Sequence, residues 1–92
     1  HNAYGSEAFA RQAEKYMAKY GLPDDAATLI LFLDLRETGT CTATLDKLLE
    51  LYPSLPPRQQ EDAKRKISIA AMGHRIKEVR IKAQDILEEL GS

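Results

Sequence analysis

Toward the carboxy end, Val79, Ala83, Ile86, Leu87 and Leu90 follow one another at steps of four, three, one and three, which puts them on one side of a helix. The same spacing recurs upstream. Phe9, Ala13, Tyr16, Met17 and Tyr20 mark a first helix that Ser6 can cap, Gly21 can end and Pro23 keeps from resuming. Asp24 and Asp25 place acids where the positive end of a helix dipole favours them, and the following AATLILFLDL, residues 26–35, is apolar nearly all round, the pattern of a central segment. A strand is the competing reading of TLILFLDL, because Thr, Ile and Phe favour sheets. No second segment offers a partner strand, so the segment reads as helix.

RETGTCT, residues 36–42, reads as a break at Gly39, after which Thr40 or Thr42 can cap a third helix carrying Leu45, Leu48, Leu49 and Tyr52 as far as Pro53. Pro56 and Pro57 suit the first turn of a fourth helix, where their missing N–H groups have no intrahelical partner to lose. Its inner stripe is Ala63, Ile67, Ala70 and Ala71. Gly73 then offers a left-handed C-terminal residue, and residues 76–90 make a fifth helix closed by Gly91. The expectation is an all-α, compact five-helix bundle with short connections.

Size and composition narrow what such a bundle can do. A chain of 92 residues is one domain, read here as spanning 1–92, and buries only about 60 to 65% of its unfolded surface, which leaves little room for an enclosed active site. Apolar residues at 43% and charged residues at 29% suit a folded globular domain and not a disordered one. The longest apolar run, residues 29–33, is far too short to span a membrane. A start at His1 and an end at Gly91-Ser92 suggest a domain cut from a longer protein, with residues 1–5 and 91–92 read as flexible or as additions. A lone cysteine, Cys41, forms no internal disulfide and points to a reducing compartment.

Net charge is −1, but its distribution is uneven: residues 58–82 hold eight basic side chains against Glu61, Asp62 and Glu78. That run admits a DNA-binding reading. The third and fourth helices form a helix-turn-helix with a recognition helix around 58–70, Arg58, Gln59, Gln60, Lys64 and Arg65 facing the bases. Glu61 and Asp62 oppose it, since they interrupt the surface that would meet phosphate.

EVRIKAQDILEELG resembles the second helix of a HEAT or armadillo-type hairpin in its Val79-Arg80 pair, inward Ala83 and spaced Leu87 and Leu90, which implies right-handed helical hairpins. Over a longer span, CTATLDKLLEL, then ISIAAMGHR, then IKEVRIKAQDIL, the chain resembles the TFIIS N-terminal domain family, and within it the integrase-binding type of domain. The tryptophan many members carry in the last helix is absent. The resemblance implies a non-enzymatic scaffold, nuclear, that captures short disordered motifs of transcription elongation and chromatin proteins, with no cofactor and no membrane contact. It implies two binding corners by location only, residues 35–40 and 73–77.

Within those corners the candidate partner-binding residues are Leu35, Arg36, Glu37 and Thr38 on one side and Gly73, His74, Arg75, Ile76 and Lys77 on the other, with Arg80 beyond. Each has a plainer reading. Ile76 is either an exposed apolar anchor or a staple on its own helix, and His74 by default is a solvated loop residue. Arg75, Lys77 and Arg80 either orient an acidic partner or simply face water. Catalysis finds little support: Asp24 and Asp25 are explained by capping, and Cys41 has no evident histidine partner in the sequence. A monomer is expected.

Overall fold

The stripes at helical spacing fold as helices. The computed structural model describes residues 2–35 and 37–91, with side chains at Ala8 and from Arg11 onward. Five helices succeed one another: α1 (Asn2–Tyr20), α2 (Ala26–Phe32), α3 (Thr38–Leu51), α4 (Pro57–Gly73) and α5 (Lys77–Glu89), with a single 3-10 turn (Tyr52–Ser54) after α3. No strand occurs among the described residues, so TLILFLDL is helix and then turn.

Local chemistry sets most of the boundaries. Gly21 lies at φ 79° and Gly91 at φ 84°, a left-handed conformation that glycine adopts without a side-chain clash, and each closes the helix before it. Asp25 caps α2 by accepting the Thr28 N–H at 3.1 Å. Pro57 is the first residue of α4.

Three boundaries differ from the expectation. Ser6 is no cap, because α1 already begins at Asn2. The break at 36–42 is shorter than its glycine and hydroxyls suggested: α3 starts at Thr38, and neither Thr40 nor Thr42 caps it. Thr40 donates its hydroxyl to the Glu37 carboxylate, while Thr42 and Thr44 turn theirs back onto the carbonyls of Thr38 and Thr40 at 3.1 and 2.7 Å. Threonine hydroxyls that bond one turn back stay inside the helix. Gly73 is not left-handed either; the chain leaves α4 through His74, in extended backbone at φ −63° and ψ 142°.

The main core joins four helices. Leu29 of α2, Leu45 and Leu48 of α3, Ile67 of α4 and Val79 and Ala83 of α5 are fully buried, and each leucine contributes about 2 to 3 kcal/mol by leaving water. Ala63, Ala70, Ala71 and Ala83 keep the inner faces of α4 and α5 small, so the two helices pack closely. Helix α1 stands apart. Its Ala13 belongs to a second, smaller cluster with Phe32 and Leu35, edged by Met17 and Leu22. Helix α2 is buried on one face and not all round: Leu31 remains 51% exposed.

Candidate functional site

The two corners singled out in the sequence meet in the fold, and the meeting follows from how α2 ends. Helix α2 has no glycine to reverse it, so its last turn tightens instead, with the N–H groups of Leu33, Asp34 and Leu35 each reaching three residues back at 3.2 Å. That leaves the end carbonyls in need of donors. Two side chains from elsewhere supply them. The Cys41 thiol of α3 donates to the Leu35 carbonyl at 3.1 Å, and His74, from the α4–α5 corner, brings Nε2 to within 2.7 Å of the Leu33 carbonyl across a sequence separation of 41.

The hydrogen bonds assign the histidine's tautomer. The Ile76 N–H can only donate, and it donates to Nδ1 at 3.1 Å, so Nδ1 is bare and Nε2 carries the proton given to Leu33. The corner is further tied to α5. Arg80 donates to the His74 carbonyl at 2.6 Å, and Gln84 reaches the Ala71 carbonyl at 3.3 Å.

This assignment settles what Cys41 and His74 do to one another. Cys41 Sγ lies 3.8 Å from Nε2, a juxtaposition the sequence did not disclose. A nucleophile and its base need an acceptor nitrogen facing the thiol, and here that nitrogen holds a hydrogen already directed at Leu33. Burial pushes the Cys41 thiol up to about 11, and the charges of Asp34 and Glu37 add to the shift. A fully buried thiol that stays protonated is a donor and a packing group.

The candidate residues divide accordingly. Leu35 is 8% exposed and packs in the cluster that includes Ala13 of α1, so it is covered by the chain itself and presents nothing to a partner. His74 is no solvated loop residue but the fastening between corners. Ile76 is half-buried against the main core, which favours its packing reading over an exposed anchor. Arg80 is half-buried and committed to the corner. Arg36 lies outside the described residues. Glu37, Thr38, Gly73, Arg75 and Lys77 are exposed, and neither Arg75 nor Lys77 has an ion-pair partner among the described residues.

One residue of this surface escaped the sequence reading. Met72, at 84% exposure, stands in the last turn of α4 beside the corner. Its signal was there: it falls off the Ala63, Ile67, Ala70, Ala71 stripe, and an apolar residue off the stripe faces water. The helix-turn-helix residues are partly occupied as well, since Gln60 donates to the Tyr52 carbonyl at 2.8 Å and Arg65 pairs with Asp62 at 3.1 Å.

Compared with protein families, with characterised proteins and with solved structures, the chain shows no match. No helix among the described residues is long and apolar enough to cross a membrane.

Proposed function

We propose that this chain is a non-enzymatic recognition module whose α2–α3 and α4–α5 corners jointly hold a short disordered segment of another protein. The supporting observation is the His74–Leu33 hydrogen bond at 2.7 Å, which makes one surface of two distant corners. A surface ordered beforehand spares the complex the cost of ordering it on binding. Glu37, Thr38, Arg75 and Lys77 supply charge and hydrogen bonding, and the exposed Met72 at the end of α4 adds an apolar side chain of a kind that adapts to varied partners.

The partner best suited is an acidic segment with one large apolar side chain, a phenylalanine or leucine, since the free cations here are Arg75 and Lys77. Ordering such a peptide costs several kcal/mol, which sets dissociation constants at roughly micromolar. The resemblance of the α3–α5 part to the TFIIS N-terminal domain family directs this reading to transcription elongation and chromatin factors, hence to the nucleus, with the domain acting as a monomer.

The test is an amide-shift titration with a short acidic peptide bearing one phenylalanine. Saturable shifts at Glu37, Thr38, Met72, Arg75 and Lys77, weakened in His74→Ala, are expected. Shifts that avoid both corners, or a His74→Ala variant that stays folded and binds as well as the parent, would refute the proposal.

A further inference from the structure

A second surface lies on the flank of the bundle, independent of the corners. Helices α2 and α4 part over the first turns of α2 to leave an open cleft of about 300 Å³, with Ala26, Ala27 and Ile30 on one wall and Gln59, Asp62, Arg65 and Lys66 on the other. The walls differ in kind. Helix α2 is apolar on more faces than the core can use, so Ala27 stays exposed and Ile30 half-exposed after Ala26 and Leu29 are buried. Leu31, 51% exposed, is one turn beyond Ala27, and Ile69, 56% exposed, is one turn beyond Arg65.

The opposite wall is cationic in effect. Asp62 and Arg65 satisfy one another at 3.1 Å, whereas Lys66 is exposed and has no ion pair among the described residues. An apolar wall facing an uncompensated ammonium group complements a helix that carries leucines on one side and carboxylates one turn away. At about 300 Å³ the cleft is at the small end of ligand pockets, sized for individual side chains and not for a whole cofactor. Asp62 in the wall, and the absence of an aromatic group among the lining residues, disfavour a phosphate backbone and its bases.

We infer that the α2–α4 cleft docks an acidic amphipathic helix of a partner protein, its leucine seated between Ala27 and Ile30 and its carboxylate on Lys66, with Arg65 beside it. This helix-in-groove mode, on a different face, is separate from the capture of a short disordered segment proposed for the corners, so either proposal survives the loss of the other.

The probe is a synthetic helical peptide of repeating Glu, Leu and Asp residues, titrated at low salt into the full isotope-labelled chain. Saturable shifts are expected at Ala27, Ile30, Gln59 and Lys66, with the corner amides still. The double variant R65E/K66E, altered only at exposed positions, should bind about tenfold more weakly, and a peptide with lysines in place of its acids should bind that variant better than it binds the parent. A circular dichroism spectrum matching the parent's is the control for folding of the variant, and Lys66→Gln, expected to bind a few-fold more weakly, provides a milder check. The inference fails if the basic peptide binds the parent equally well, if the shifts appear at the corners, or if no saturable shift appears. It fails equally if duplex DNA moves the same amides, or if they shift with protein concentration alone, which would make a second copy the occupant.

Discussion

Helices α1 and α5 carry apolar stripes of the same period and bury them to very different extents. Helix α5, with 13 residues, packs on both α3 and α4 and hides Val79, Ala83 and Ile86 almost completely. Helix α1 is longer, with 19 residues, yet of its described stripe only Ala13 is buried, with Met17 half-buried and Tyr16 and Tyr20 43% and 64% exposed. Tyr16 and Tyr20 pair with one another instead, rings 5.0 Å apart, with the Lys19 ammonium over Tyr20. Periodicity states which face turns inward. How much of that face is covered depends on how many neighbours the fold provides, and among the described residues the buried part of α1 packs on Phe32 and Leu35 at the end of α2.

The comparison divides the molecule into a four-helix unit and an attached helix, and substitutions can break it. Leu48→Ala, in the centre of the larger core, should cost about 3 to 4 kcal/mol and unfold α2 to α5 together, as urea denaturation followed by circular dichroism would show. A loss below about 1 kcal/mol would mean that the unit is not a close-packed core.

Alkali should strike the same unit. The folded Cys41 thiol titrates near 11 against an ordinary value of 9.0, so the folded state holds its proton more tightly than the unfolded chain does. The stability this represents, on the order of 2 kcal/mol, is complete below pH 9 and is lost as pH rises toward 11. Cys41→Ala should flatten that part of the stability–pH profile, and an unchanged slope would remove the thiol from the account.

His74→Ala should cost about 2 kcal/mol, since it strips the Leu33 carbonyl of its strongest donor and the Ile76 N–H of its acceptor. Hydrogen exchange sharpens the point: Ile76 and its neighbours should exchange faster, while Ala13 and Met17 are unaffected. Met17→Ala is the mildest, about 1 kcal/mol, and should free α1 while amide protection in α3 and α5 persists. Equal loss of protection everywhere would erase the distinction between the two parts.

Much of this architecture was legible because it is local. Ala63, Ile67, Ala70 and Ala71, like Val79, Ala83 and Ile86, declare their faces through spacing alone, and Gly21, Asp25 and Pro57 act within a turn of themselves. The caps expected of Thr40 and Thr42 fail locally, because α3 already begins at Thr38 and both hydroxyls bond within one turn, whereas the roles of Gly73 and Leu35 are settled at a distance. Gly73 lacks the left-handed turn because His74 takes the chain out extended toward α2, and Leu35 is hidden by a helix that precedes it in the chain. The candidate site was legible as two places and not as one, because a hydrogen bond between residues 41 apart leaves no mark in spacing.

The connector below α1 is moored as well as bent: Pro23 is buried, and the Asp24 carboxylate is held by Lys47 of α3 at 3.0 Å. These two attachments let the first helix loosen while the start of α2 keeps its place beside α3, the exposed Asp24–Lys47 pair adding only weakly to that hold.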